Sequence, residues 1–181
     1  MIIKPIEILK TFYPRETDAF KILRIHSELV AKKSVQLAMR QNKKTLDVRF
    51  IWEAAMLHDI GIFLTDAPQI GCFGKHPYIC HGYLGKKLLQ KKGMNKHAKV
   101  CERHVGVGLT SEDIQKQNIP LPERDMIPET LEEKIICYAD KFYSKSGNIH
   151  KEKSIDTIER ELCSHNDRSV DIFRKWHEMF A

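Results

Sequence analysis

The sequence predicts an all-α, single-domain helical bundle, and three observations carry that expectation. Apolar residues recur at the three-to-four-residue spacing of one helix face along most of the chain. The prolines and glycines fall between those segments rather than between short alternating runs. No repeat or low-complexity tract divides the 181 residues, which suit one domain able to bury a core without disulfide staples. We therefore expect a single domain over 1–181, with a core of about 20–145 and C-terminal helices of 150–181 packed on it.

Residues 5–12 read as a short first helix, ended by Pro14. The second begins near Thr17 and Asp18, either of which can cap its free amides, and turns Phe20, Leu23, His26, Val30, Ser34 and Leu37 inward. A third runs from about Asp47 to His58, with Ile51, Ala54, Ala55 and His58 on one face, and stops at Gly61 as a left-handed terminator. Residues 62–77, with two prolines and two glycines, read as a loop over something functional. Helix resumes over about 78–92 and again over 95–104, after which Gly106 and Gly108 force an irregular turn. Ser111, with Glu112 and Asp113 beside it, caps another short helix, and 118–128, with three prolines, is extended. Thr130 and Glu133 have the spacing of a capping box. They start a helix with Ile136, Ala139, Asp140 and Tyr143 on one face, and two amphipathic helices fill about 152–163 and 167–179. No strand is expected.

Composition bounds the function. No segment is apolar for the ~18 residues a membrane span requires. The start, Met1-Ile2-Ile3-Lys4-Pro5, lacks the apolar core and cleavage site of a secretory signal, so a cytoplasmic location is expected. Five cysteines without a Cys-x-x-Cys pair support neither a disulfide framework nor a thiolate zinc site and read as reduced, mostly buried thiols. A net charge of +6 favours anionic partners. Nucleic acid fits less well, because no aromatic residues interleave with the basic ones as in base-stacking single-strand binders.

His26, His58 and Asp140 sit where the helical pattern asks for apolar residues. An unpaired polar group there costs roughly 1–3 kcal/mol, and a charge more, so each needs a compensating partner. Any one alone is better explained by a core histidine bonded to a carbonyl or an aspartate capping a helix. Three on separate helices, with His58 and Asp59 adjacent, are satisfied together by a divalent cation, since imidazole nitrogen and carboxylate oxygen are ligands for manganese, iron, cobalt and zinc. Successive helical residues point about 100° apart, so both members of the His58-Asp59 pair reach one ion only beside a helix end.

The series His26, His58-Asp59-Ile60-Gly61 and Asp140 within Tyr138-Ala139-Asp140-Lys141 resembles the HD-domain superfamily of metal-dependent phosphohydrolases, in its His-Asp-Ile-Gly subset, over roughly residues 20–145. His81-Gly82-Tyr83-Leu84-Gly85 and His104-Val105-Gly106-Val107-Gly108 look like the two extra histidine ligands of two-metal members, with His76 an alternative to His81. Glu102–Thr110 and Pro128–Ile135 are similar to a small uncharacterised archaeal and bacterial subgroup. The resemblance implies that His26, His58, Asp59 and Asp140 hold one ion, that Asp59 bridges to a second completed by His81 and His104, and that His58 and Asp59 are central to catalysis. One or two divalent ions (Mn, Fe, Co, Ni, Mg or Zn) would activate water against a phosphate ester, a nucleotide or related phosphorylated small molecule. Ile62 and Gly106-Val107-Gly108-Leu109 stand where cyclic-dinucleotide phosphodiesterases of the superfamily carry a lysine and a Gly-Tyr-Pro motif, which argues against cyclic di-GMP.

Between Asp66 and Glu102 there is no acidic residue but there are seven lysines, a pattern that suits an anionic substrate or, past position 90, a solvated face. Lys75, Arg103 and Lys141, nearest in sequence to the ligands, are the expected phosphate contacts. Two rival readings are a non-catalytic nucleotide- or metal-binding regulatory module and a nucleic-acid binder. Oligomeric state is not legible.

Overall fold

The computed structural model describes residues 3–14, 17–41, 45–164 and 167–181. Among them are nine α-helices: α1 (Pro5–Lys10), α2 (Asp18–Arg40), α3 (Val48–Leu57), α4 (His81–Lys91), α5 (Asn95–Arg103), α6 (Ser111–Lys116), α7 (Leu131–Asp140), α8 (Ile155–Cys163) and α9 (Asp167–Phe180). This is the all-α bundle the periodicity predicts, with one unexpected addition. Asp66–Ala67 (β1) and Cys72–Phe73 (β2) pair antiparallel inside the expected loop. A two-residue ladder is too short to leave an alternating pattern in sequence.

The helix starts are set by side-chain caps. Thr17 accepts from the Phe20 amide, Asp47 from Phe50 and Ser154 from Thr157. Two expectations change. Thr110, not Ser111, caps α6, and it forms a full capping box with Asp113. Thr130 caps α7 through the Glu133 amide, but the Glu133 carboxylate accepts from the Glu129 amide and from Arg103 instead of closing the box. Residues 118–128 are turns and bends rather than an extended run, joined to the rest by a bridge between Leu109 and Met126.

Two apolar clusters fill the interior. One packs the C-terminal half of α2 with α3, α7, α8 and α9, through residues such as Val30, Ile51, Ile136, Tyr138 and Phe173. The other packs α1, the N-terminal half of α2, the end of α3, α4 and α5, through Leu9, Leu23, Leu57, Ile60, Leu89 and Cys101. His26 lies on α2 between Leu23 of one cluster and Val30 of the other, so the seam between the two cores is where polar side chains meet.

Gly61 is not a left-handed terminator, since its φ is −85°. What it supplies is space. A Cβ there would lie 2.3 Å from the His81 carbonyl oxygen and 2.5 Å from the Gly85 amide nitrogen, both backbone atoms that cannot swing aside. Gly85 in turn admits Cys101 Sγ, at 2.3 Å from its own absent Cβ. The turn after α3, helix α4 and helix α5 thus close on one another through small residues. Tyr13 ties the turn from the other side, donating to the Ile60 carbonyl at 2.9 Å and accepting from the Phe63 amide at 3.1 Å. Gly61→Ala should therefore lower stability by about 2 kcal/mol or more, the cost of overpacking against fixed backbone. A denaturant midpoint equal to the wild type would contradict this packing.

Candidate metal centre

Five chain segments bring the six expected ligands together, and all six are buried. His26 comes from the middle of α2. His58 is the residue at which α3 ends, Asp59 lies in the turn after it, His81 opens α4, His104 closes α5, and Asp140 is the last residue of α7. Placement at helix ends lets side chains from different elements point at one spot without their backbones colliding.

The atoms form two groups that share Asp59. In the first, His26 Nε2 lies 3.0 Å from Asp140 Oδ1, 3.3 Å from His58 Nε2 and 3.2 Å from Asp59 Oδ2. His58 Nε2 is 3.1 Å from that same Asp59 oxygen and 3.3 Å from Asp140 Oδ1. In the second, Asp59 Oδ1 is 3.3 Å from both His81 Nε2 and His104 Nε2, which are 3.0 Å apart. Each oxygen of Asp59 serves one group, the arrangement of a bridging carboxylate.

Proton positions decide what these contacts are. The Nδ1 atoms of His58, His81 and His104 lie 2.6, 2.6 and 2.7 Å from the carbonyl oxygens of Ala55, Tyr78 and Cys101. A carbonyl only accepts, so each Nδ1 carries a proton and donates it, and each Nε2 of a neutral ring turns a lone pair inward. Burial first, and then the neighbouring His58 and His81, push His104 down to about 4, so it is neutral. His81 Nε2 and His104 Nε2, 3.0 Å apart, need a proton or a metal cation between them. The donor spacings of 3.0–3.3 Å are those of ligands each about 2.0–2.1 Å from one ion. Both oxygens of Asp59 and Nδ1 of His26 are buried without an aligned hydrogen bond. The donor set fits divalent metal.

Charge around the centre is balanced from one side. Burial alone would raise Asp59, but His58 and Lys145 outweigh it and hold the carboxyl well below the usual range. Asp140 is likewise held low against burial, by Lys141 and Lys145. Burial would lower His58, yet Asp59 and Asp140 keep its imidazole up at about 9. Two buried thiols steady the ligand backbones: Cys101 donates to the His58 carbonyl at 2.8 Å and Cys137 to the His104 carbonyl at 3.4 Å. Burial pushes the Cys137 thiol up to about 12, so it stays a donor. These are two of four buried free cysteines; Cys163 is exposed.

A cavity of about 370 Å³ opens on His81, His104 and Asp140. Its walls include Lys141, Lys145, Tyr78, Val107, Leu109 and Leu162. Of the expected phosphate contacts, Lys141 lines it, 2.8 Å from Asp140 Oδ2 and 3.3 Å from the His104 carbonyl. Lys75 is exposed and not on its wall. Arg103 is turned away, clamped by Glu133 at 3.0 Å and Glu129 at 2.9 Å. A residue adjacent to a ligand on a helix points about 100° from it, which is why neighbourhood in sequence misleads here. His76 is exposed and outside both ligand groups. His97 is buried against Glu53, and His177 meets the Tyr138 hydroxyl; His165 lies outside the described residues. Lys145, 2.7 Å from Asp59 Oδ2, was not expected, since it lies beyond the end of α7 where no periodicity marks an inward position.

The chain resembles known proteins along most of its length. It is 33% identical over 154 residues to a tRNA (cytidine(56)-2'-O)-methyltransferase of Picrophilus torridus, covering 84% of this chain and 40% of that protein. It is 32% identical over 127 residues to an uncharacterized protein of Methanocaldococcus jannaschii, covering 70% of this chain and 68% of that one. A Thermoplasma volcanium protein with the same methyltransferase name is 26% identical over 137 residues, covering 75% of this chain and 36% of the other. The chain thus spans about two-fifths of the methyltransferase-named relatives. No solved structure matches it. The HD domain family matches residues 23–144, a span that holds all six candidate ligands and the turn that joins them, and the chain belongs to that family.

Proposed function

We propose that this protein hydrolyses a phosphate ester, a nucleotide or a related phosphorylated small molecule, at a centre of one or two divalent cations. The observation that carries the reading is the pair of ligand groups sharing Asp59 at the floor of a cavity. His26, His58, Asp140 and Asp59 Oδ2 would hold one cation, and His81, His104 and Asp59 Oδ1 the other. Such cations lower the pKa of bound water towards ~7 and neutralise charge on the phosphoryl oxygens. Each carboxylate already has an ammonium partner, Lys145 for Asp59 and Lys141 for Asp140. Cation charge added here is therefore not cancelled by the protein and favours an anionic substrate. About 370 Å³ with apolar walls suits a small molecule. The methyltransferase name belongs to proteins of which this chain matches two-fifths or less, and that activity is not proposed here.

The test is metal analysis followed by a phosphatase and phosphodiesterase screen with manganese, nickel, cobalt or magnesium, across nucleoside monophosphates, deoxynucleotides and cyclic dinucleotides. Turnover is expected; bound metal with no turnover on any phosphate ester would instead favour the regulatory module. Asp59→Ala should lose both ions and at least about 100-fold in rate, the several kcal/mol metal catalysis supplies, with helicity kept. His104→Ala should lose only the second ion. Activity surviving in Asp59→Ala would refute the assigned roles.

A ligand imidazole must give up its Nε2 proton to bind metal. Because the carboxylates hold the His58 proton up to about 9, metal uptake at pH 7 should release it. Apparent affinity should then rise with pH as far as about 9 and fall under acid conditions. Calorimetry in buffers of different ionisation enthalpy reads the released proton; uptake independent of the buffer would contradict the proton placement.

A further inference from the structure

Lys145 follows the end of α7, and its side chain turns back into the fold. It is 14% exposed, and what is exposed faces three cavities that meet at this residue, the one over the ligands among them. Its ammonium lies 2.7 Å from Asp59 Oδ2, the oxygen that faces His26 and His58. That contact is a charge pair rather than an aligned hydrogen bond, since Asp59 Oδ2 lacks one. On its other side Lys145 shares the walls of two cavities with Tyr78. The Tyr78 ring stands 4.7 Å from the His81 ring and shares the cavity wall. The pair therefore borders both ligand groups, Lys145 at the first and Tyr78 at the second. Lys141 differs: its ammonium is committed to Asp140 Oδ2 and the His104 carbonyl, which ties α7 to the turn after α5.

We propose that Lys145 and Tyr78 form the anchor for the phosphoryl oxygens of the substrate. The inference rests on the phosphate-ester reading above. An ammonium has three N–H donors and a phenol has one, so the pair has donors to spare beyond the contact of Lys145 with Asp59. Both are fixed in place before a ligand arrives, which keeps the entropic cost of orienting a phosphoryl group low. Charge-assisted hydrogen bonds of this kind are the stronger class.

The experiment uses the manganese-loaded protein and inorganic phosphate as probe, with phosphate Kd by calorimetry, metal content, and KM and kcat for whichever ester is turned over. Lys145→Met is expected to raise phosphate Kd and KM about tenfold or more, the worth of one hydrogen bond to a charged group, with metal content unchanged. Lys145→Arg should recover most of the affinity. Tyr78→Phe, which keeps the ring against His81, should weaken phosphate severalfold and stands as a second test if Lys145→Met does not fold. Unchanged phosphate Kd in Lys145→Met, or loss of metal from it, overturns the anchor while a phosphate-binding, active wild type leaves the proposed function in place. A metal-loaded wild type that binds no phosphate and cleaves no ester overturns both.

Discussion

The structure is organised around one buried carboxylate. Asp59 is fully enclosed, and each of its oxygens faces two imidazole nitrogens, those of His26 and the adjacent His58 on one side and of His81 and His104 on the other. A charge so placed costs several kcal/mol unless it is compensated, so its surroundings are constrained on every side. Lys145 supplies countercharge. Carbonyls of Ala55, Tyr78 and Cys101 accept from the Nδ1 atoms and so turn each Nε2 inward. The backbone must then bring five segments within a few ångströms of a single point. That requirement explains a turn at Gly61 with no room for a methyl group, and an α4–α5 contact made through Gly82, Gly85 and Cys101.

The same constraint accounts for where the polar residues lie in an otherwise apolar interior. Helix α2 belongs to both cores and passes from one to the other at His26. Had the site been placed inside either cluster, its ligands would have displaced packed aliphatic side chains. At the seam they replace contacts that neither core could make alone. Cys101 and Cys137 fit this logic: each is small and apolar enough for the core, yet its S–H satisfies a ligand residue's carbonyl.

The cluster of candidate ligands is legible because its chemistry contradicts its position. His26, His58 and Asp140 occupy apolar phases of helices, and only a shared partner reconciles several such contradictions. Lys145 carried no such signal, because a lysine after a helix end reads as solvated. Arg103 carried a false one: adjacent to His104 in sequence, it points toward Glu129 and Glu133 in space. At Gly61 the expected left-handed terminator is absent, and what the structure needs there is the missing Cβ. The β1–β2 ladder and the shift of the α6 cap by one residue lie below the scale that periodicity resolves.

The family match ends at residue 144, and the cavity does not. Lys145 is the next residue, and Leu162 and Ser169 reach the same cavity from α8 and α9. Helix α9 packs on α7 through Phe173 and Phe180 against Tyr138, and α8 packs on α9, so the helix that presents Asp140 also carries the segment that walls the approach to it. Ligands come from inside the matched span, and part of the wall comes from outside it. A centre acting as proposed would be indifferent to the group the phosphate carries, whereas a wall is not. Differences between this chain and other members of its family in what the cavity admits are thus best sought at Lys145, Leu162 and Ser169, which wall it.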